Sequence, residues 1–317
     1  MTIKLGVVMD PIASIKPYKD STLAMLLEAQ RRGWVLQYME QKDLFIDKGE
    51  PHAFITDLQV ADNNDSWFTL GSKAAIPLSQ LDVILMRKDP PLTLDYIYST
   101  YLLELAEQAG VLIINKPQSL RDANEKLFTC WFPQCCPETL VTANKKLLQD
   151  FIGAHKEAIL KPMDGMGGQS VFFLRIGDLN MNAIIESLTQ NGNRLIMAQR
   201  FIPAILQGDK RVLMINGEPI EYALARIPTR GDIRGNLAAG ARGEVIPLTE
   251  EDRFICSQVG PVLRQKGLIF VGLDIIGEYL TEINVTSPTC IREIEAVFPI
   301  NIAGRLMDCL EEKLALR

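Results

Sequence analysis

Two apolar strands joined by a tight turn are predicted by the stretch Gly272-Leu273-Asp274-Ile275-Ile276-Gly277-Glu278-Tyr279-Leu280-Thr281-Glu282-Ile283-Asn284-Val285. Glu282 and Asn284 are two residues apart, so on a strand they point to the same face, where Asp274 of the neighbouring strand could meet them. Three oxygen-bearing side chains on a half-buried face suit a hard cation such as Mg²⁺, which bridges nucleotide phosphates. The alternative is a hairpin that shows polar residues to water, and the apolar flanks argue against it.

The composition is that of a globular protein. Hydrophobic residues make up 47% and charged residues 23% of the 317 residues, a length that suits two or three units of domain size. A net charge of −6 gives no general attraction to nucleic acid or anionic membranes, so an anion site must be a local cluster of Lys and Arg. No apolar stretch approaches the roughly 20 residues that span a bilayer, and the apolar run at 5–9 ends at Asp10 before any signal-peptide cleavage segment. We therefore expect a soluble, cytoplasmic protein without nucleic-acid or membrane partners.

Cysteine and histidine usage narrows the chemistry. The six cysteines show no CxxC spacing and the only histidines are His52 and His155, which argues against a structural zinc site and against His-based catalysis. We expect reduced, mostly buried thiols. Chemistry should therefore rest on carboxylates, on Lys and Arg, and on bound phosphate.

Strands and helices alternate along the first third of the chain. Their pattern predicts strands at 3–10, 35–39, 82–87 and 111–115 and helices at 21–32, 95–108 and 119–131, with Ser21 as an N-cap. Such alternation predicts a parallel α/β sheet, and the lack of a GxGxxG after the first strand excludes the usual dinucleotide site. Residues 47–80 read as polar and irregular, with a short strand at 67–70 as the one candidate.

The rest of the chain divides into a smaller α/β piece and a final third. We predict strands at 138–142, 158–162, 171–176 and 194–199 with helices at 145–156 and 182–190. The final third begins with a hairpin at 211–226, turned at Asn216-Gly217, a strong hairpin dipeptide. A loop at 228–243, a helix at 250–266, the two opening strands and helices at 289–297 and 301–315 follow.

A glycine cluster follows the strand that ends at Lys161. It reads Lys161-Pro162-Met163-Asp164-Gly165-Met166-Gly167-Gly168-Gln169-Ser170. Three glycines in four positions permit backbone conformations that place N–H groups around a phosphate, and a lysine just before the loop can reach that phosphate. The alternative is a merely flexible turn.

The loop at 228–243 carries three arginines among small residues. We interpret it as a lid that closes over a ligand; the alternative is a solvated surface loop. Arg226, Arg211 and Lys126 add positive charge nearby, and Arg87 ends a sheet strand, where ligands of open α/β sheets bind. For any single arginine a surface ion pair remains the alternative.

Hydroxyl residues follow the opening strands, in Thr286-Ser287-Pro288-Thr289-Cys290-Ile291-Arg292-Glu293. They lead into a predicted helix whose free N–H groups can hold a carboxylate. Capping of the helix by Ser287 or Thr289 is the alternative, and both interpretations can hold together.

Taken together, these parts resemble the ATP-grasp ligases and, more narrowly, the bacterial glutathione synthetases. The resemblance covers the chain from Leu5 to the last helix. Lys126, Lys161, Arg211 and the Asp274, Glu282, Asn284 set carry the wider likeness. The narrower likeness rests on the strings at 83–91 (VILMRKDPP), 115–117 (NKP), 161–168 (KPMDGMGG), 234–240 (RGNLAAG) and 281–288 (TEINVTSP). One departure is Ala241, where the family leads us to expect a second glycine of the lid.

The resemblance implies an ATP-grasp fold of class α/β (α+β) in three parts. These are an N-terminal Rossmann-like parallel-sheet domain (1–122), a small central α/β lid domain (123–200) and a C-terminal antiparallel-sheet domain with the metal site and lid loop (201–317). The implied activity is that of an ATP-dependent carboxylate–amine ligase, which joins γ-glutamylcysteine and glycine through an acyl phosphate to give glutathione, ADP and phosphate. The implied cofactors are ATP and Mg²⁺, with Mn²⁺ as a substitute, and the implied assembly is a homo-oligomer, a tetramer as in the family.

The resemblance also assigns roles to residues. ATP would be contacted by Lys126, Lys161, Gly165, Met166, Gly167, Gly168, Gln199, Arg200, Phe201, Ile202 and Arg211. The dipeptide would be held by Arg87, Arg226, Arg234, Asn284, Thr286, Thr289 and Cys290. Catalytic charge stabilisation would come from Arg211, Arg234 and Lys161, and the metal would lie on Asp274, Glu282 and Asn284.

Two other functions fit parts of the same pattern. One is an ATP-grasp ligase for another carboxylate, as in D-alanine–D-alanine ligation or glutamate addition to a protein tail; the narrow-family strings argue against it. The other is a nucleotide-binding regulatory module without turnover, as in synapsins, which the intact metal set with Lys161 and Arg211 disfavours.

Overall fold

Three separate β-sheets follow one another along the chain, as the computed structural model shows. The structure describes residues 2–165, 167–229, 231, 235, 237 and 240–317. The first sheet has seven strands, the second four and the third five. Parallel strands occur in the first sheet, and the second and third are antiparallel throughout. This mixture confirms the predicted α/β (α+β) class.

Parallel strands form the centre of the first sheet. Its elements are β1 Lys4–Val8, α1 Ser21–Arg31, β2 Val35–Met39, β3 Leu44–Asp47, β4 Glu50–Val60, β5 Phe68–Pro77, β6 Val83–Met86, α2 Leu94–Gln108 and β7 Leu112–Ile114. The strands β2, β1, β6 and β7 lie side by side in that order and are parallel. They are short apolar runs because helices cover both faces of the sheet. The predicted parallel arrangement is therefore confirmed.

The prediction of an irregular segment at 47–80 was wrong. β4 and β5 form a long antiparallel hairpin, and β4 also pairs with β2 and β3. Most residues of β5 are exposed on both faces, so the strand shows no alternation of apolar and polar residues. Without that alternation, periodicity cannot reveal a strand.

Two local predictions near functional segments were also wrong. Asp20, not Ser21, caps α1, because its side chain accepts a hydrogen bond from the Leu23 amide at 2.7 Å. The predicted helix at 119–131 is two pieces, α3 at Pro117–Asp122 and a 3₁₀ turn at Leu127–Trp131. Asn124 makes the break, because its Oδ1 accepts from the amides of the two residues that begin the second piece, Lys126 and Leu127.

The second sheet forms a small unit with a core of its own. It consists of β8 Thr139–Thr142, α4 Lys145–His155, β9 Glu157–Pro162, β10 Phe172–Arg175, α5 Met181–Thr189 and β11 Ile196–Arg200. The strand order is β10-β9-β11-β8. Leu148 and Ile152 of α4 and Ile185 of α5 pack on this sheet in an apolar cluster separate from the rest.

The third sheet contains the two strands that were predicted within residues 272–285. It consists of β12 Asp209–Ile215, β13 Glu218–Ile227, β14 Arg242–Pro247, β15 Phe270–Ile276 and β16 Tyr279–Asn284, with the helices α6 Glu250–Gln265, α7 Ile291–Glu295 and α8 Ile302–Ala315. The strand order is β14-β13-β12-β15-β16. The turn at Asn216-Gly217 is confirmed, with φ of +49° and +80°; a Cβ on Gly217 would lie 2.4 Å from the Gly260 carbonyl oxygen. β14 was not predicted, since its first residues belong to the arginine-rich loop.

The first and third sheets share their apolar cores. One cluster joins Leu5 of β1 to Leu306 of α8, and the other joins Ile84 of β6 to Val271 of β15. None of the helices that the structure describes is both long and apolar enough to cross a membrane. The first and third sheets therefore form one packed base, and the second sheet is attached to it.

Asn115, which follows β7 of the first sheet, forms hydrogen bonds to the third sheet. Its Nδ2 donates to the carbonyls of Phe270 at 2.8 Å and Val285 at 2.6 Å. Its Oδ1 accepts from the amides of Ile269 at 2.7 Å and Phe270 at 2.9 Å. The buried amide thus satisfies backbone groups at the start of β15 and just after the end of β16.

Asn115→Asp should lower the free energy of unfolding by about 3 kcal/mol, because a carboxylate cannot donate to the two buried carbonyls. Denaturant unfolding measures the change. The matched control is Asn144→Asp: Asn144 caps α4 by accepting from the Leu147 amide, and an aspartate caps equally well. Equal losses in the two variants would contradict this role of Asn115.

Candidate active site

Asp274 and Glu282 lie directly opposite each other on β15 and β16. Directly opposed residues of antiparallel strands share a face, and Asn284 follows two residues later on that face, opposite Gly272. The predicted meeting of these three side chains is therefore confirmed. They line a cleft of about 550 Å³, called the central cleft here, to which the second and third sheets contribute strand residues and the first sheet only loops, such as those that carry Asp10 and Asp89.

Two buried arginines hold the Asp274 carboxylate. Arg211 donates from Nε to Oδ1 at 2.5 Å and from Nη2 to Oδ2 at 3.0 Å, and Arg226 approaches Oδ2 at 3.0 Å. Burial raises the pKa of Asp274, but the two guanidinium charges outweigh burial and hold this pKa well below its usual range. Asp274 is therefore a fixed negative charge with a fixed orientation.

Two buried lysines approach the Glu282 carboxylate from the other side of the cleft. The distances from Oε1 to Nζ are 3.5 Å for Lys126 and 3.8 Å for Lys161. Lys126 also donates to the Gly165 carbonyl at 2.6 Å and Lys161 to the Thr281 carbonyl at 3.2 Å. Burial lowers the pKa of Lys161, Glu282 raises it, and the charge of Lys126 lowers it again, with a net decrease. A bound polyanion would offset both the repulsion between the two lysine charges and the free-energy cost of burying them.

The glycine loop covers these lysines. Gly167 and Gly168 have φ of +63° and +78°, the left-handed region that favours glycine. At Gly165 an added Cβ would lie 2.9 Å from Cγ of Pro162. The three glycines line the central cleft, whereas the predicted Met166 lies outside the described residues.

The predicted adenine-contact segment ends β11 and follows it. Gln199, Arg200, Phe201 and Ile202 all line the central cleft. Gln199 donates to the Thr139 hydroxyl at 3.1 Å, and the rings of Phe201 and Phe173 have centroids 4.5 Å apart. The segment is thus a mixed apolar and polar wall, which suits a flat heterocycle with hydrogen-bonding edges.

The segment after β16 forms the opposite wall. Thr286, Thr289 and Cys290 line the cleft, as does Arg226. Cys290 has a φ of +95°, and burial raises the pKa of its thiol. The continuous piece of chain from Glu282 to Cys290 therefore carries both the oxygen-rich face and this wall.

Arg87 lies behind the wall formed by Thr286, Thr289 and Cys290. Arg87 does not line the central cleft in the structure; its Nη2 donates to the Pro288 carbonyl at 2.8 Å and its Nε to the Thr22 hydroxyl at 3.0 Å. Burial lowers the pKa of this guanidinium. Arg87 thus supports the Thr286–Cys290 wall from behind. The predicted Arg234 lies outside the described residues.

Sequence reasoning missed several residues of the cleft. Asp209 starts β12 and is hydrogen-bonded to Arg226, and burial raises its pKa to about 7. Glu125, whose pKa burial also raises, accepts from the Thr286 hydroxyl at 2.7 Å. Lys16, Lys19 and Glu293 also line the cleft. Glu125 adjoins Lys126 and Asp209 lies two residues before Arg211, and that proximity in sequence was the available signal.

The oxygen-rich face fits a divalent metal. No group of three or more His, Cys, Asp and Glu side chains within the described ranges could hold a metal, so a site here needs Asn284 as its third ligand. The Asn284 Nδ2 donates to the Gly272 carbonyl at 3.2 Å, and this hydrogen bond uses the donor of the amide and leaves its Oδ1 available as a ligand. Two carboxylates and an amide oxygen are ligands that a hard cation prefers.

Comparison of the sequence with models of known protein families identifies the family of this chain. The family model of the prokaryotic glutathione synthetase N-terminal domain matches residues 3–121, and that of the prokaryotic glutathione synthetase ATP-grasp domain matches residues 125–299. The chain belongs to the prokaryotic glutathione synthetase family. It is an ATP-dependent ligase with the ATP-grasp fold, and use of a divalent metal is a general property of such enzymes.

Individual relatives agree with this membership. The glutathione synthetase of Pseudomonas putida is 59% identical over 317 residues, which cover 100% of both chains. That of Escherichia coli K12 is 61% identical over 312 residues, 98% of this chain and 99% of the relative. The solved structure of the D-cycloserine synthetase DcsG has a TM-score of 0.69 at 14% identity and covers 98% of this chain and 99% of its own. A complex of the ATP-grasp ligase PsnB has a TM-score of 0.61 at 16% identity, with 98% of each chain covered. These two structures share the fold.

Asp274→Asn should lower the free energy of unfolding at neutral pH by about 3 kcal/mol, because it leaves two buried guanidinium groups without their shared counter-charge. Denaturant unfolding of the ligand-free protein measures the loss. Asp150→Asn is the matched control, since Asp150 forms an exposed ion pair with Lys146 on one helix. Removal of this ion pair should lower the free energy of unfolding several times less than Asp274→Asn does. A stability unchanged by Asp274→Asn would contradict the assigned role.

Proposed function

We propose that this protein joins γ-glutamylcysteine to glycine at the expense of ATP, giving glutathione, ADP and phosphate. The observation that carries the proposal is the single chain segment from Glu282 to Cys290. It carries Glu282 and Asn284 of the oxygen-rich face and continues into the hydroxyl residues Thr286 and Thr289, so a metal–nucleotide complex and a carboxylate substrate could bind side by side along it. A carboxylate that must react with a γ-phosphate needs that adjacency.

ATP is held with its base beside Gln199–Ile202 and its phosphates beside the glycine loop. Lys126 and Lys161 provide positive charge for the phosphates, and Gly165, Gly167 and Gly168 let the loop approach them. The lysines are buried, so their charge acts in a medium of low effective dielectric constant and stabilises the transferring phosphate strongly. Met166, as the neighbour of these glycines, belongs to the same proposed contact.

Mg²⁺, with Mn²⁺ as a substitute, is the proposed metal, and Asp274, Glu282 and Asn284 would hold it. When bound, the ion supplies charge neutralisation of the ATP phosphates. The chain's own contribution is orientation: Arg211 and Arg226 fix Asp274 in its ionised form, so the face is assembled before any ligand arrives. Arg211, Lys161 and Arg234 further stabilise the negative charge that builds on the transferring oxygens.

The dipeptide lies against the wall after β16. Its cysteine carboxylate attacks the γ-phosphorus of ATP, the bond to the β–γ bridging oxygen breaks, and ADP leaves. The glycine amine then attacks the acyl phosphate, and phosphate leaves with the former carboxylate oxygen. Arg226, Arg234, Asn284, Thr286, Thr289 and Cys290 are the proposed dipeptide contacts, together with Arg87, which supports the Pro288 carbonyl.

Water must be kept away from an acyl phosphate. The second sheet has a separate core, so it can move as a body and bring the glycine loop down on the nucleotide. We propose that this unit corresponds to a central domain at 123–200, between an N-terminal domain at 1–122 and a C-terminal domain at 201–317. A homo-tetramer, taken from the family resemblance, and a cytoplasmic location, predicted from the sequence, are part of the same proposal.

Phosphate release from ATP should require γ-glutamylcysteine and, for sustained turnover, glycine as well, because glycine resolves the acyl phosphate. The measurement is phosphate release with each substrate omitted in turn. Absence of release with all substrates present would contradict the ligase function. Equal release with D-alanine alone would instead indicate a D-alanine ligase.

Glu282→Gln should lower kcat at least about 100-fold while the protein stays folded, because the metal face loses one of its two charges. Metal-dependent ADP binding, measured by calorimetry, should weaken in parallel. Glu278→Gln, the same substitution in the exposed turn before β16, is the matched control and should match the wild type. Near-normal turnover of a folded Glu282→Gln protein would place the metal elsewhere.

A further inference from the structure

The Thr286–Cys290 wall contains one residue in the left-handed backbone region. Cys290 has a φ of +95°, and a residue with a side chain adopts such a φ only where the surrounding structure enforces it. Cys290 and its neighbour Thr289 both line the central cleft. The shape of this part of the wall therefore depends on the contacts that hold the chain on either side of Cys290.

On the N-terminal side of Cys290 the wall is held by Arg87. The Arg87 Nη2 donates to the Pro288 carbonyl at 2.8 Å, and the Ser287 hydroxyl donates to the Arg87 carbonyl at 3.2 Å. The orientation of this guanidinium depends on Thr22, whose hydroxyl accepts from the Arg87 Nε at 3.0 Å. Thr22 is 4% exposed and does not line the central cleft. Thr22 therefore acts on the wall only through Arg87.

On the C-terminal side of Cys290 the wall is held by Ser21. The Ile291 amide donates to the Ser21 hydroxyl at 3.1 Å, and the next residue, Arg292, donates from Nη1 to the Pro17 carbonyl at 2.8 Å. Ser21 and Ile291 are both buried, so loss of the hydroxyl would leave an amide without a partner and away from water. Hydrogen bonds to the first part of the chain thus hold both sides of Cys290.

Ser21 and Thr22 are consecutive residues at the start of α1, and helix capping does not account for their hydroxyls. Asp20 is the N-cap, and its side chain accepts from the Leu23 amide. Serine and threonine are mostly exposed in proteins, and a buried hydroxyl is unfavourable unless it is hydrogen-bonded. Leu23 and Cys290 belong to one apolar cluster, which packs α1 against the wall. The start of α1 is therefore a fixed support for both sides of Cys290.

We propose that Ser21 and Thr22 are positioning residues, which hold Thr289 and Cys290 in the conformation that binds the dipeptide. The assignment rests on the proposed ligation of γ-glutamylcysteine. Neither hydroxyl touches the substrate. Without them the wall shifts and binds the dipeptide less tightly, because a small displacement of a binding group is enough to weaken its contacts. The proposed ATP contacts of the two lysines and the glycine loop lie on other elements and stay in place.

The test compares KM for γ-glutamylcysteine with KM for ATP in Thr22→Val, which removes the hydroxyl and keeps a side chain of similar shape. KM for γ-glutamylcysteine should rise at least about 5-fold, because the buried guanidinium that holds Pro288 loses an acceptor, while KM for ATP stays within about 2-fold. Thr22→Ser restores the hydroxyl and should return KM for γ-glutamylcysteine to within about 2-fold of the wild type. An unchanged KM for γ-glutamylcysteine in folded Thr22→Val, or an equal rise of both KM values, would overturn the assignment.

Thr100→Val is the matched control. Thr100 is also buried, and its hydroxyl also accepts from an arginine, the Arg121 Nη1 at 3.0 Å, but it lies on α2 and does not line the central cleft. Loss of this hydroxyl should lower stability and leave both KM values at the wild-type level. If Thr100→Val raised KM for γ-glutamylcysteine as much as Thr22→Val does, the effect would be a general result of lost stability, and the assignment would fail.

Ser21→Ala tests the other side of Cys290 and decides the question even if Thr22→Val does not fold. It should raise KM for γ-glutamylcysteine at least about 3-fold, because the Ile291 amide loses its acceptor, with KM for ATP again within about 2-fold. An unchanged KM for γ-glutamylcysteine would overturn the role of Ser21. A wild type that forms no product from γ-glutamylcysteine would contradict the proposed function itself, so the two failures are distinguishable.

Discussion

The buried carboxylate of Asp274, held between Arg211 and Arg226, is the interaction on which the rest of the site depends. A lone carboxylate at this depth would be expelled or protonated, and two guanidinium groups keep it ionised. Because Arg211 lies on β12 and Arg226 on β13, the ion cluster needs three adjacent strands in correct register. The β12–β15 register places Arg211 opposite Asp274, the β12–β13 register places Arg226 opposite Asp209, and the β15–β16 register places Glu282 opposite Asp274.

The architecture surrounds this cluster with elements of unequal rigidity. The first and third sheets share their apolar clusters, and Asn115 fixes the strand ends that flank the metal face. The second sheet brings Lys161 and the glycine loop from a separate core. A rigid base with the oxygen-rich face and the Thr286–Cys290 wall, covered by a smaller unit with the glycine loop, suits the proposed reaction, which must admit three substrates and then exclude water.

The sequence predicted the parts of this protein that depend on local pattern. The apolar runs with embedded Asp274 and Glu282, the Asn216-Gly217 turn and the parallel strands were confirmed because each depends on neighbours in sequence. The β4–β5 hairpin was missed because β5 is exposed on both faces. The break at Asn124 was missed because two hydrogen bonds to one side chain override helical periodicity.

In the proposed reaction the cysteine carboxylate of the dipeptide becomes an acyl phosphate. This step can be followed with γ-glutamylcysteine labelled with ¹⁸O in its cysteine carboxylate, by mass analysis of the phosphate released during turnover with ATP and glycine. We expect one ¹⁸O atom in each phosphate, because the carboxylate oxygen that attacks the γ-phosphorus leaves with it. Phosphate without ¹⁸O, released in step with peptide formation, would contradict the acyl-phosphate step.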